Sequence, residues 1–130
     1  MLNLVKKLSL SLCLLVTCAW VQANDIKTID QQSVLTAEDL VIVDVRTPEE
    51  FAKGHVPGAI NVPVAEFADN LHMFADKNQN IVTYCRSGRR AMQALEVLQA
   101  NGYTDLHHLE GDIREWEAAE LPLTVPPSSN

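Results

Sequence analysis

Cysteine is scarce in this sequence, positive charge is outnumbered, and no apolar run is long enough to cross a membrane. Three cysteines occur in 130 residues, and two of them, Cys13 and Cys18, lie in an N-terminal stretch with the layout of a cleavable leader. There Lys6 and Lys7 precede an uncharged apolar run over residues 8–21, and Val21-Gln22-Ala23 offers small residues ahead of a polar start at Asn24. The layout predicts a signal peptide over residues 1–23, a folded domain over residues 24–123 and an irregular tail over residues 124–130. Two competing readings are weaker. A retained anchor would want a longer apolar run, and a lipid-modified Cys18 would follow a residue smaller than Thr17.

Removal of the leader leaves Cys85 alone. One thiol makes neither an intramolecular disulfide nor a Cys-x-x-Cys redox pair, so the fold must rest on its core. A single unpaired cysteine in an exported protein also meets oxidants, which argues against an idle role. Loss of Lys6 and Lys7 takes the net charge from −7 to −9, and a body that acidic argues against nucleic acid or an anionic membrane as partner. Neither an internal repeat nor a linker divides the chain, so one domain is expected.

Against that acidity one basic cluster stands out. Ile81-Val82-Thr83-Tyr84 is strand-like and runs into Cys85, and Arg86-Ser87-Gly88-Arg89-Arg90 follows. Ala91, Ala94, Leu95 and Leu98 then recur at helical spacing. Cys85 is therefore expected at the carboxyl end of a buried strand, beside a loop that opens a helix, which is where open α/β sheets bind ligands. Loop N–H groups, the helix dipole and the arginines would there stabilise a thiolate over a thiol. The alternative is a structural cysteine ending a core strand; the three arginines within five positions favour the reactive one. Arginines at a helix N-terminus oppose its dipole, so an anionic partner is expected for them.

Elsewhere strands and helices alternate. Residues 26–29 read as a short strand, Thr36-Ala37-Glu38-Asp39 as a capped turn or loop, and Leu40-Val41-Ile42-Val43 as a strand buried on both faces. Thr47, Pro48 and Glu50 have the layout of a capping box with proline at the first helical position, and Lys53-Gly54 closes that helix. A short strand centred on Ile60 comes next, then a helix over residues 65–76 with Phe67, Leu71 and Phe74 inward. After the helix that begins near Arg89 come a last strand over residues 106–109 and a short helix near Trp116. This order implies a three-layer α/β unit with a mostly parallel sheet. Asp44 and Arg46 are placed to form an ion pair tying a strand end to neighbouring loops. His72, His107 and His108 have no partner at ligand spacing, so no metal site is expected.

Four stretches, in this order, resemble the rhodanese family of sulfurtransferases: Asp44-Val45-Arg46 with Glu50-Phe51; Gly54-His55-Val56-Pro57-Gly58-Ala59-Ile60-Asn61; Tyr84-Cys85-Arg86-Ser87-Gly88-Arg89-Arg90; and Glu110-Gly111 with Trp116. Two positions depart from the family's pattern. Asp112 stands where a second glycine is usual, which is expected to alter the turn beside the site. Ala91 stands where a serine often follows the arginine, which is expected to remove a polar group from the loop rim.

The resemblance implies a rhodanese-like three-layer α/β fold, with a mostly parallel sheet of about five strands flanked by helices. It also implies a reaction. The Cys85 thiolate attacks the outer sulfur of thiosulfate or a similar donor, sulfite leaves, and the Cys85 persulfide hands its sulfur to cyanide or a thiol. Arg86, Ser87, Gly88, Arg89 and Arg90 become the substrate-binding residues, with Arg90 closest to the family's loop arginine. Asp44, Arg46 and His55 become structural support of the site. Neither a metal nor an organic cofactor is required, and export to a periplasm fits small exported members. A phosphatase of this fold would place five residues between cysteine and arginine, whereas four separate Cys85 from Arg90. A non-catalytic or carrier module that relays sulfur for a protein partner shares the fold and stays open as the alternative.

Overall fold

The apolar runs that read as strands line up side by side and point the same way. In the computed structural model, which describes residues 25–127, β1 (Lys27–Ile29), β2 (Leu40–Asp44), β3 (Ile60–Asn61), β4 (Asn80–Tyr84) and β5 (Leu106–Leu109) form one five-stranded sheet in the order β1-β5-β4-β2-β3. Every pairing in it is parallel. The expected leader over residues 1–23 lies outside the described residues. Parallel neighbours need crossovers, and these carry α1 (Gln31–Thr36), α2 (Pro48–Ala52), α3 (Arg89–Ala100) and, after β5, α4 (Asp112–Ala118).

β4 lies in the middle of the sheet, and its two-residue alternation sorts the core into two layers. Ile81 and Cys85 face the side where α3 packs through Ala91, Ala94, Leu95 and Leu98, and Thr83 on the same side donates to the Ala91 carbonyl at 3.2 Å. Val82 and Tyr84 face the other side, with Val34 of α1, Phe51 of α2, and Ile113 and Trp116 of α4. The expected α/β architecture is therefore present, with helices on both faces. Trp116 is fully buried, and its ring N–H donates to the Pro122 carbonyl at 2.9 Å, so it is a packing residue.

Helix α2 begins as the sequence predicts. The Thr47 hydroxyl accepts from the Glu50 N–H, the Glu50 carboxylate accepts from the Thr47 N–H, and Pro48 occupies the first turn. Helix α3 also begins at Arg89, as expected.

Three elements differ. The helix expected over residues 65–76 is two 3-10 turns, Val64–Glu66 and Ala68–Met73, with Asn70 out of helical geometry. The Asn70 side chain donates to the Glu66 carbonyl at 2.7 Å, a local bond that competes with the backbone ladder. Phe67 and Phe74 are nonetheless buried as expected, their rings 5.7 Å apart. Helix α1 runs into Thr36, the first residue of the expected turn, over residues for which no helix was expected. Asp30 caps it, accepting from the Ser33 N–H at 2.9 Å, and Val34 is its one buried residue. Finally, the expected irregular tail starts pinned: His55 and Thr124 exchange both backbone hydrogen bonds, at 2.9 and 2.8 Å.

Candidate active site

Cys85 follows directly on β4, at the carboxyl end of the central strand, and is 2% exposed. On the sheet side its neighbours are core residues such as Val43, Val45 and Ala91. On the other side the loop curls over it, and the Gly88 N–H points at Sγ from 3.0 Å. That approach needs a backbone turn few residues accept: Gly88 has φ +111 and caps α3 in a left-handed conformation. Among the described residues, Gly88 supplies the one hydrogen bond to the sulfur. The Cys85 main chain is held from α4, its N–H by Asp112 Oδ1 at 2.9 Å and its carbonyl by the Ile113 N–H at 3.1 Å.

The three loop arginines have different surroundings. Arg90 makes a two-armed ion pair with Glu50, Nη1 to Oε1 at 2.7 Å and Nη2 to Oε2 at 3.1 Å, which answers the need for an anion beside a cation at a helix start. Hydrogen bonds from Arg90, more than any other contact, hold the Glu50 carboxyl at about 2, below the ordinary 4.5. The same bonds raise the Arg90 pKa, with a smaller Coulombic contribution from Cys85. Arg86 and Arg89 are exposed and have no hydrogen bond or ion pair among the described residues. Arg86 lines a cleft of about 230 Å³ with Arg46, Glu50, Ile113 and Arg114. Ser87 lines a second, of about 480 Å³, with His108, Asp112, Arg114 and Glu115.

Asp44 and Arg46 form the expected pair, at 2.6 Å and nearly free of solvent. A buried pair needs hydrogen bonds beyond its own contact. Arg46 Nη2 also donates to the Gly54 carbonyl at 2.8 Å, and the Tyr84 hydroxyl donates to Asp44 Oδ2 at 2.7 Å. Tyr84 in turn accepts from the Val56 N–H at 3.0 Å. Burial, and then the Asp44 charge, push the Tyr84 phenol well above its ordinary range, so it stays a donor. This network ties the ends of β2 and β4 to the loop carrying residues 54–56. His55 is buried there, stacked on Phe51 at 3.6 Å with Nδ1 3.0 Å from the Phe51 carbonyl. It braces α2 and the tail, and none of its hydrogen bonds reaches the cysteine.

Two departures from the family's pattern have different fates. Ala91 is fully buried against the sheet, so it is a core residue and leaves no gap in the loop rim. Asp112 does shape the turn: it has φ +53 and its carboxylate holds the Cys85 N–H. His108, which showed no partner at ligand spacing in the sequence, meets that carboxylate, with Nε2 3.0 Å from both oxygens. Sequence reasoning missed this contact, and it missed the second task of Glu50 beyond its cap. An Asp four residues after a His was the available signal for the first. Nothing local signals a contact 40 residues away.

A cysteine at the end of a central parallel strand, under an arginine-rich loop that opens a helix, defines a rhodanese-type site. The family model for the rhodanese-like domain matches residues 28–119, and the chain belongs to this family of sulfurtransferases. It is 36% identical to a sulfurtransferase of Allochromatium vinosum over 73% of this chain and 88% of that protein. It is 40% identical to the thiosulfate sulfurtransferase PspE of Escherichia coli over 53% of this chain and 67% of that one. Among solved structures, a rhodanese-like domain protein from Staphylococcus aureus superposes with a TM-score of 0.63 at 36% identity, over 70% of this chain and 91% of that one. Some relatives are longer: the chain spans 31% of the tRNA uridine(34) hydroxylase of Erwinia tasmaniensis, at 34% identity.

Proposed function

We propose that the protein takes a sulfane sulfur from thiosulfate or a similar anionic donor onto Cys85 and passes it to a thiophilic acceptor, cyanide or a thiol. The observation that carries this reading is the Gly88 N–H aimed at Cys85 Sγ from 3.0 Å. A fixed main-chain donor at the reacting atom supports negative charge on sulfur without reorganising during reaction. In the first step the Cys85 thiolate attacks the outer sulfur of the donor, the donor's S–S bond breaks, and sulfite leaves with the bonding pair. In the second, a lone pair of the acceptor attacks the terminal sulfur of the persulfide, and Cys85 leaves as the thiolate.

The remaining roles follow from the surroundings of each residue. Arg86 and Arg89, exposed and unpaired among the described residues, attract the dianionic donor. Arg90 is engaged by Glu50 and fixes the base of the loop, while Ser87 adds a hydroxyl at its rim. Asp44, Arg46 and His55 support the site at one remove. The name of the Escherichia coli relative supports thiosulfate as the donor. The reading includes export to a periplasm, supported by the leader-like residues 1–23; N-terminal sequencing of the mature protein should begin at Asn24, and a start at Met1 would contradict it.

Initial rates across a grid of thiosulfate and acceptor concentrations test the mechanism. Parallel double-reciprocal lines with one sulfite released per turnover support a covalent intermediate. Intersecting lines, or hydrolysis of a phosphate ester at a comparable rate, contradict it. Absence of sulfite release, with sulfur instead accepted from a persulfide-bearing protein, would make the chain a carrier module.

A further inference from the structure

Asp112 and His108 lie beneath the Cys85 loop and have no part in the two steps above. Asp112 is 2% exposed and holds a left-handed φ of +53, where a glycine would be free of strain. A carboxylate buried there must find hydrogen-bond donors. It finds two: the Cys85 N–H at 2.9 Å on Oδ1, and His108 Nε2 at 3.0 Å from each oxygen. An ionised carboxylate only accepts, so Nε2 carries the proton in this contact and the imidazole is fixed in orientation.

The same pair underlies the other half of the sulfur contact. A Cβ built on Gly88 would lie 3.2 Å from Asp112 Oδ2 and 3.2 Å from His108 Cε1, so the two side chains leave no room for anything larger than glycine in the loop. Cys85 brings the sulfur and Gly88 brings the N–H that points at it. One carboxylate–imidazole pair therefore lies against both residues, bonded to the Cys85 N–H and filling the space beside Gly88. The next residue, Ile113, holds the Cys85 carbonyl, so the turn that begins α4 grips the cysteine main chain at both polar groups.

Resting on the sulfurtransferase reading, we propose that Asp112 and His108 are positioning residues for Cys85: the buried carboxylate, oriented by the imidazole, sets the N–H···S contact before the donor arrives. The pair acts through the backbone of Cys85 and Gly88 and touches no reacting atom. A purely structural Asp112 would be replaceable by glycine, the residue usual at this place in the family. A positioning Asp112 would not be.

Asp112→Gly is accordingly the decisive variant, because glycine relieves the left-handed strain and keeps the fold while the Cys85 N–H loses its acceptor. Asp112→Asn keeps an oxygen for that N–H, and His108→Ala removes the orienting ring. Two rates are read alongside urea unfolding: alkylation of Cys85 by iodoacetamide, which needs no sulfur donor, and sulfite release from thiosulfate. Asp112→Gly and His108→Ala should slow both by about tenfold or more, with the KM for thiosulfate within about twofold of wild type. Asp112→Gly should do so while keeping a cooperative unfolding transition and an unchanged far-ultraviolet circular dichroism, and Asp112→Asn should recover most of the rate. Wild-type alkylation in Asp112→Gly, or an asparagine variant no faster than the glycine one, overturns the proposal. Slowed alkylation in the variants of a wild-type protein that releases no sulfite would uphold the positioning role and overturn the sulfurtransferase reading instead.

Discussion

Glu50→Gln isolates the Glu50–Arg90 pair with little collateral damage, because glutamine at the third helical position still closes the capping box on Thr47. The carboxyl sits at about 2 instead of 4.5, which corresponds to about 3 kcal/mol if fully expressed in stability. Both side chains are about a third exposed, 30% for Arg90 and 31% for Glu50, so solvent screening reduces this to about 1.5 kcal/mol. The sign follows from a depressed folded-state pKa. The stabilisation is complete above about pH 4.5 and is lost as pH falls through about 2, below which the carboxyl is protonated in the folded and unfolded states alike. Urea unfolding of wild type and Glu50→Gln at pH 7 should differ by about 1.5 kcal/mol, and at pH 3 by less than half as much. A difference that stays constant across that range, or is absent at pH 7, would refute the assignment of Glu50 as the anion that anchors the loop.

Two further substitutions test the surroundings of the site. Tyr84→Phe removes the hydroxyl that donates to Asp44 and accepts from the Val56 N–H, and should destabilise by about 2 kcal/mol in urea unfolding; a loss under about 0.5 kcal/mol would show that water replaces it. Gly88→Ala forces a Cβ to within 3.2 Å of Asp112 and His108 at a φ of +111. It should slow sulfite release from thiosulfate by about tenfold or more with the far-ultraviolet circular dichroism unchanged, and a wild-type rate would mean the N–H···S contact is dispensable.

How much of this was legible in the sequence depends on the range of the contacts. The Cys85 strand, its loop and α3 are contiguous, and strand and helix periodicity mark both of them directly. The Thr47–Glu50 box is local for the same reason. The 3-10 turns around Asn70 were read as one α-helix because Phe67, Leu71 and Phe74 fit helical spacing equally well, and the Asn70 side-chain bond that breaks the ladder is invisible to periodicity. Helix α1 is short and polar with one buried residue, so its only signal was the Asp30–Ser33 cap. Glu50 meeting Arg90, Tyr84 meeting Asp44 and Asp112 meeting Cys85 all depend on strand order. The parallel register that sets Asp44 beside Tyr84 brings the second of these together, and no local pattern records it.

The central claim is that Cys85 carries sulfur covalently, and intact-protein mass spectrometry after incubation with thiosulfate and removal of excess donor measures this most directly. The expected result is a gain of one sulfur atom, roughly 32 Da, that disappears on adding cyanide or a thiol and never forms in Cys85→Ser. An unchanged mass in the wild-type protein, or the same gain in Cys85→Ser, would contradict it.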